Sequence, residues 1–382
     1  DVYKRQVIYI CMFIFLIGFS VIYARNTYYV WGTFKTLTII LLSVTLVMPV
    51  ICSESHKYFK FIFAWVCINL LLALHAFIIR GHGPSGFLWD QNDLALALNM
   101  SIPIVFYLIF YNKRGKAGKY FYTGATLVLI IASGVTMSRG GFLGLLAVFG
   151  MFWLLSERKL KSLGIFMLCV LLAGYPVYKL VPENYKNEMS TIFDSGEGDR
   201  TRESRYEFWG YGWEMFLDNP VLGVGASNYP WTVHLYQLRR PDYDPDRVTL
   251  YGGRPAHSLY FTLIPELGLA GIILFFLILK QVFARLRRII RLGVEHESLN
   301  QHGLLAKALL VSTVAYLVTG AFISVLYYPP FWYLLGFVLT LERVTNAEYK
   351  TISGESGDAS KSDTHNRDSG AWRRREYSGA GR

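Results

Sequence analysis

Three residues have side chains that could carry chemistry: Arg139 and His257, which lie beside long apolar runs, and Arg205, which lies in the long polar loop between them. A charge next to an apolar run is costly, so Arg139 is a functional candidate unless it only reaches the membrane interface. A guanidinium can bind two phosphate oxygens at once and stays charged, so Arg205 could hold a phosphate. The other interpretation is that Arg205 belongs to a solvated helix face. A histidine can act as a general base near neutral pH, although a lone one can also be an interface residue.

Two further candidates flank His257. Arg254 lies three residues before it, and Glu266 lies nine residues after it, inside an apolar run. An acid in such a run needs a partner, so Glu266 could orient His257 or an arginine, or relay protons.

A polar cluster directly precedes another apolar run, and it contains Asp90, Asn92 and Asp93. Asp90 or Asn92 could cap the helix that follows, since both residue types are preferred at that position. The other interpretation is an outward-facing cluster that binds substrate, and the sequence leaves both open.

The composition indicates that these candidates belong to a membrane protein. The chain is 53% hydrophobic and 17% charged, with a net charge of +11. Soluble domains carry about 25% charged residues, so a soluble enzyme and a disordered protein are both excluded. The positive charge fits cytoplasmic loops better than nucleic-acid binding. The four cysteines form no CxxC pair, so no metal site is predicted.

The apolar runs predict an all-α polytopic integral membrane protein with about ten transmembrane helices. The predicted spans are Val7–Tyr23, Thr36–Cys52, Tyr58–Ile79, Leu94–Tyr111, Tyr120–Thr136, Gly141–Leu155, Leu163–Val181, Leu259–Leu279, Leu304–Ile323 and Tyr327–Leu341. Lys and Arg concentrate in alternate loops, which predicts that those loops are cytoplasmic and that the long loop before residue 259 faces outward.

That long loop contains a predicted amphipathic helix at the membrane surface. Tyr206, Trp209, Trp213 and Phe216 recur at helical spacing, which predicts an aromatic face turned toward lipid. We count Trp209 among the candidate substrate-binding residues.

The predicted organisation has four parts: a transmembrane bundle over 1–181, a large extracytoplasmic loop over 182–258, further transmembrane helices over 259–343, and a polar, disordered cytoplasmic tail over 344–382. Because the chain begins with Asp1 rather than Met, we expect N-terminal helices to be missing.

Several motifs together resemble the O-antigen ligase family of bacterial membrane glycan ligases. They are Ser138–Gly141, Arg205–Trp209, Asp218–Gly225, Ala256–Tyr260 and Pro265–Gly271, in this order around one large loop. The stretches 90–100 and 320–322 resemble the O-glycosylation ligases found beside exosortase systems.

The resemblance implies transfer of a glycan from a polyprenyl diphosphate carrier to a lipid, glycan or protein acceptor. The reaction would take place at the outer face of the bacterial inner membrane, among membrane lipids and without a metal or other cofactor. By motif position, Arg139 and Arg205 would hold the diphosphate and His257 would be the base, while Arg254 and Glu266 are weaker candidates.

Three alternatives stay open. A polysaccharide polymerase of the same superfamily differs only in its acceptor. A small-solute transporter, for example for inorganic carbon, would place polar residues at the membrane midplane in broken helices. A structural scaffold gives no reason for arginines beside membrane spans.

Overall fold

The computed structural model describes residues 2–110, 115–164, 200–241 and 250–373 of the chain. Within these ranges every regular element is a helix, so the all-α prediction is confirmed there. The α-helices are α1 Val2–Phe19, α2 Thr27–Leu42, α3 Met48–Ile51, α4 Ser55–Ile78, α5 Gln91–Leu108, α6 Gly115–Val135, α7 Arg139–Leu155, α8 Arg200–Asp218, α9 Tyr229–Gln237, α10 Tyr260–Glu295, α11 Asn300–Gly320 and α12 Pro329–Arg373.

Four helical stretches in the described ranges are long and apolar enough to cross a membrane. They are Thr27–Ile51, Ser55–Ile78, Tyr260–Glu295 and Glu297–Gly320, and two shorter apolar helices are Val7–Ile22 and Arg139–Leu155. Each of these six overlaps a predicted span. The predicted span Leu163–Val181 lies almost wholly outside the described residues, and the count of ten spans stays a prediction.

Helix α11 lies at the centre of the bundle and packs against α5, α7, α10 and α12. Small residues allow these close approaches. A Cβ atom on Gly144 of α7 would collide with the Thr319 hydroxyl of α11, so only glycine fits there. The hydroxyl of Ser312 donates to the backbone carbonyl of Met100 at 2.6 Å. Packing through small residues and interhelical hydrogen bonds is typical of membrane helices.

Helix α10 is broken at Gly268, whose φ of 59° and ψ of −158° are not helical. The break exposes backbone groups that a lipid environment cannot satisfy. Residues 220–225, which precede α9, supply the partners. Val224 and Gly225 donate to the carbonyls of Pro265 and Glu266, while the amides of Leu269 and Ala270 donate to the carbonyls of residues 220 and 221.

Glycine is required where this loop crosses the break. A Cβ atom on Gly268 would lie 2.6 Å from the carbonyl carbon of Val221 and 2.8 Å from the amide nitrogen of Gly223. On the other side of the loop, Asn228 accepts a hydrogen bond from the amide of Asn26 at 2.7 Å. The loop is therefore held between α10 and the α1–α2 connection.

At the far end of α10, a buried ion pair joins this helix to α12. Arg285 pairs with Glu342, and Arg288 lies 3.8 Å from the same carboxylate. Farther along α12, Glu348 accepts a hydrogen bond from Ser55 of α4. These contacts lie at and beyond the predicted boundary at residue 343.

The disordered tail over 344–382 stays a prediction, but the backbone of α12 is helical to Arg373 and passes the predicted boundary at residue 343. The physical reason is that the packed helix continues past the boundary, with Val344 and Thr345 buried, and a formed helix adds residues at little cost.

Candidate active site

The turn at residues 320–322, between α11 and α12, brings two motifs to the same end of the bundle. The carbonyl of Gly320 accepts a hydrogen bond from the amide of Leu259 at 2.7 Å. On the other side of the turn, a Cβ atom on Gly140 would lie 3.0 Å from the Cβ atom of Phe322. The start of α7 and the start of α10 therefore meet at this turn.

Arg139 is the first residue of α7, and its neighbour Ser138 caps the helix. The Ser138 hydroxyl accepts from the amide of Gly141 at 2.9 Å and donates to the Asn92 side chain at 2.6 Å. The cap fixes the first turn, so the half-buried Arg139 guanidinium emerges from a helix N-terminus. Both the guanidinium and the helix end favour an anion at this position.

Asp90 caps α5, as one of the two interpretations predicted, and the substrate-binding interpretation of this cluster stays a prediction. Its carboxylate accepts hydrogen bonds from the backbone and side-chain nitrogens of Asn92, both at 2.8 Å. Through Asn92 and Ser138, the starts of α5 and α7 are joined by side-chain hydrogen bonds. Asp93 lies in the first turn of α5 and is 8% exposed.

His257 has a strained backbone at the entrance to α10. Its φ of 51° lies in the left-handed region, which residues other than glycine rarely adopt. Such strain is concentrated at functional sites. The neighbours Ala256 and Ser258 are both buried, whereas the imidazole keeps an exposed surface.

The surroundings of His257 favour the neutral imidazole. Desolvation by the protein around the ring lowers its pKa, and the charges of Arg205 and Arg254 lower it further. Asp90 acts in the opposite direction and raises the pKa. These effects place Arg205, Arg254 and Asp90 within electrostatic range of one imidazole.

Helix α8 positions Arg205 through Trp209, which lies one turn later. The Trp209 indole donates to the carbonyl of Ala256 at 3.0 Å and stacks on Phe261 of α10, with 5.2 Å between ring centroids. The Phe208 ring lies 6.5 Å from the His257 ring. Trp209 is therefore attached to the backbone next to His257, which is a positioning contact that the sequence did not predict.

The two weaker candidates differ in their surroundings. Arg254 is exposed, with its guanidinium 5.6 Å from the centre of the Tyr251 ring. Glu266 is 1% exposed, and its carboxylate accepts hydrogen bonds from the amides of Ser227 and Tyr229 and from the hydroxyl of Tyr327. These contacts fasten the start of α9 to α10. The role of Glu266 toward substrate stays a prediction.

Sequence reasoning missed a buried polar chain behind Arg139. The Asn99 side chain donates to the carbonyl of Gly141 at 2.7 Å and accepts from Ser133 at 2.8 Å. An asparagine in the middle of an apolar run was the available signal, because a polar residue at that depth needs partners. Phe322 was also missed as the contact of Gly140, and no local pattern could have revealed it.

The arrangement can bind a negative group and remove a proton. Arg205 and Arg254 supply positive charge around a neutral base, and Arg139 lies at the same end of the bundle. In the described ranges, no group of three His, Cys, Asp or Glu residues is arranged to hold a metal ion.

The apolar helices indicate a membrane protein, and a comparison with protein families specifies its kind. Residues 124–276 match the family model described as O-antigen ligase. This match confirms the resemblance to the O-antigen ligase family and supports a membrane glycan enzyme of the ligase or polymerase type. The matched range contains Arg139, Arg205 and His257 and ends before α11. No curated protein matches the chain.

Proposed function

We propose that the protein transfers a glycan from a polyprenyl diphosphate carrier to an acceptor hydroxyl at the outer face of the inner membrane. The observation that carries the proposal is the pair Arg205 and Arg254 around the base His257, whose pKa is held low. A diphosphate leaving group needs compensating positive charge, and an acceptor hydroxyl needs a proton acceptor.

On the donor side, arginines take the part that a metal ion plays in other diphosphate-releasing enzymes. Each guanidinium group can bind two phosphate oxygens at once, and it stays charged while negative charge develops on the leaving group. Arg139 adds the N-terminus of α7, where backbone amides also favour an anion. We assign the diphosphate to Arg139 and Arg205, with Arg254 as a weaker contact.

On the acceptor side, His257 removes the proton of the attacking hydroxyl. The acceptor oxygen forms a bond to the anomeric carbon, and the bond from that carbon to the phosphate oxygen breaks. The electron pair of that bond leaves with the polyprenyl diphosphate, and His257 later releases its proton to solvent. Because the pKa of His257 is lowered, the imidazole is ready to accept a proton at neutral pH.

The lipid tail of the donor requires an apolar surface next to the arginines. Tyr206 and Trp213 of α8 are 63% and 49% exposed, while Phe208, Tyr211 and Met215 on the other face are buried against α9. These two exposed rings belong to the aromatic face that the sequence predicts, whereas Trp209 of the same predicted face packs against Phe261 of α10. Both exposed rings lie on the same helix as Arg205. We propose that they guide the polyprenyl chain toward the site.

A transfer assay with purified protein in detergent tests this function. The donor is a polyprenyl-diphosphate glycan, the acceptor is a membrane extract, and EDTA is present. We expect transfer by the unsubstituted chain and none by Arg139→Ala, Arg205→Ala or His257→Ala. Full activity in two of the three variants would contradict the assigned roles. The mass of the product separates a ligase from a polymerase.

Transport is the second candidate, because the break in α10 resembles the discontinuous helices of transporters. In such helices the exposed backbone groups bind the solute. Here two carbonyls and two amides beside Gly268 are hydrogen-bonded to residues 220–225, and the Glu266 carboxylate accepts three hydrogen bonds. The groups that a solute would need are thus engaged with the protein, which favours transfer chemistry.

A further inference from the structure

The charged groups near His257 have opposite effects on its pKa. Arg205 and Arg254 lower its pKa, while Asp90 raises it. Asp90 and Asp93 also interact electrostatically with each other and with the phenol of Tyr328. His257 is therefore within electrostatic range of two guanidinium groups and of the Asp90 carboxyl group, and the Asp93 carboxyl group lies near Asp90. A diphosphate is repelled by carboxyl groups, so a different part of the substrates must lie beside Asp90 and Asp93.

Asp93 has an unusual environment for a buried acid. It is 8% exposed, and its Oδ1 atom is buried with no hydrogen-bond partner in the part of the chain that the structure describes. A buried polar atom without a partner costs about 1–3 kcal/mol and calls for an explanation. A ligand that donates a hydrogen bond to Asp93 would remove this cost.

Aromatic rings border the same position. The ring of Phe87, which is 37% exposed, lies edge-on to the half-buried ring of Tyr328 at 6.1 Å. Trp89, immediately before the capping residue Asp90, is 58% exposed. A sugar has hydroxyl groups that donate to carboxylates and an apolar C–H face that packs on aromatic rings. Binding sites of this kind combine apolar rings with a few well-placed polar groups.

We propose that Asp93, Asp90, Phe87 and Tyr328 form a subsite for a sugar residue of the acceptor, in which the buried Asp93 carboxyl accepts a hydrogen bond from a sugar hydroxyl. Asp90 lies within electrostatic range of His257, so an acceptor sugar bound here has its hydroxyl groups near the base. The terms donor and acceptor rest on the proposed function. Binding of a sugar at this subsite does not depend on that function.

Two measurements on the full chain in detergent test the subsite. The first is binding of methyl glycosides of glucose, galactose and N-acetylglucosamine by saturation-transfer NMR. The second is the KM for the matching octyl glycosides as acceptors and, separately, the KM for the polyprenyl-diphosphate glycan. The variants are Asp93→Ala, Asp93→Asn and Phe87→Ala. Glu54→Gln, an exposed acid paired with Lys57, is the matched control.

We expect at least one glycoside to bind, and its binding to weaken about tenfold or more in Asp93→Ala, as expected for the loss of a hydrogen bond to a buried carboxyl group. The acceptor KM should rise by a similar factor while the donor KM changes little. Phe87→Ala should act in the same direction, and Glu54→Gln should change neither constant.

The outcomes separate this inference from the proposed function. Binding of a glycoside that needs Asp93, in a protein that transfers no glycan, would support the subsite and contradict the proposed function. The subsite would be overturned if the protein transfers glycan but neither the acceptor KM nor glycoside binding changes in the Asp93 and Phe87 variants. The subsite would also be overturned if only the donor KM rises in these variants. The same holds if no glycoside binds to the unsubstituted chain.

Discussion

Two buried carboxyl groups at the same end of the bundle have opposite environments. Glu266, beside the break in α10, is 1% exposed and accepts three hydrogen bonds from the protein. Asp93, at the start of α5, is 8% exposed, and its Oδ1 atom has no partner among the described residues. A buried acid with all its hydrogen-bond partners stabilises the fold, whereas an acid with an unpartnered oxygen can accept a hydrogen bond from a ligand.

The backbone shows the same contrast. At Gly268 the irregular conformation is matched by glycine and by hydrogen bonds to residues 220–225. At His257 an irregular conformation is imposed on a residue that disfavours it, and the side chain keeps an exposed surface. The irregular backbone at Gly268 is therefore stabilised by its contacts, whereas the backbone at His257 is strained and leaves the His257 side chain accessible.

The largest effect is expected from Gly268→Ala. The added Cβ atom would meet the backbone of Val221 and Gly223 at less than 3 Å, and the φ of 59° is unfavourable for alanine. We expect little folded protein after extraction, measured by size-exclusion chromatography. Gly150→Ala is the control, because within the described ranges no atom lies within 4 Å of its Cβ position. If both variants give a normal yield of folded protein, the structural role assigned to the break at Gly268 is contradicted.

The next largest effect compares the two acids directly. Glu266→Ala leaves two amides and the Tyr327 hydroxyl without their acceptor and should lower the free energy of unfolding by about 3 kcal/mol or more. Asp93→Ala removes an oxygen that no described donor uses, so we expect stability to stay the same or to rise. Melting temperatures in detergent measure both. An equal fall in melting temperature in both variants would contradict the different roles assigned to Glu266 and Asp93.

His257→Gly should separate activity from stability. Loss of a general base lowers the transfer rate by about 10²–10⁴-fold. Glycine adopts a φ of 51° without strain, so the melting temperature should not fall. His56→Ala, which changes an exposed histidine beside Glu54, is the control for both readouts. A variant that is both unstable and inactive would indicate a structural role for His257.

A smaller effect is expected from Arg205→Lys. Lysine keeps the charge but cannot make two parallel hydrogen bonds, and one charge-assisted hydrogen bond corresponds to about tenfold in rate. Arg240→Lys, at an arginine paired with Glu214 at 2.9 Å on the surface, is the matched control. If lysine at position 205 supports the full transfer rate, the diphosphate is not bound in a bidentate manner there.

The smallest predicted change is in pH dependence. The base is active when neutral, so the rate falls as pH drops through the pKa of His257. Asp90 raises this pKa, so Asp90→Asn should move the acid limb of the pH–rate profile to lower pH. Arg254 lowers it, so Arg254→Gln should move the limb to higher pH. Asparagine still caps a helix, which keeps α5 intact in the first variant. Shifts in the reverse directions would mean that another group controls the limb.

The sequence predicted the features that depend on local pattern. Apolar runs located the described helices that are long and apolar enough to cross a membrane, and the residue type of Asp90 suggested its capping role. The motif order around Arg205 and His257 indicated the family that the comparison supports.

The features that depend on distant parts of the chain could not be predicted. Glu266 needed a partner by its type, but its donor Tyr327 lies 61 residues away. Asp90 and Asp93 look alike in the sequence, and only the rotation of α5 within the bundle buries one and exposes the other. The pairing of residues 220–225 with the break at Gly268 also follows from the fold, not from either segment alone.

Chemical rescue of His257→Gly tests the assigned role of this residue most directly. Transfer from a polyprenyl-diphosphate glycan is measured in EDTA with the purified variant, with and without added imidazole. We predict that the variant is inactive alone and that imidazole, which can occupy the space of the missing ring, restores part of the rate. Transfer by the variant at the original rate without imidazole would contradict the role of His257 as the base.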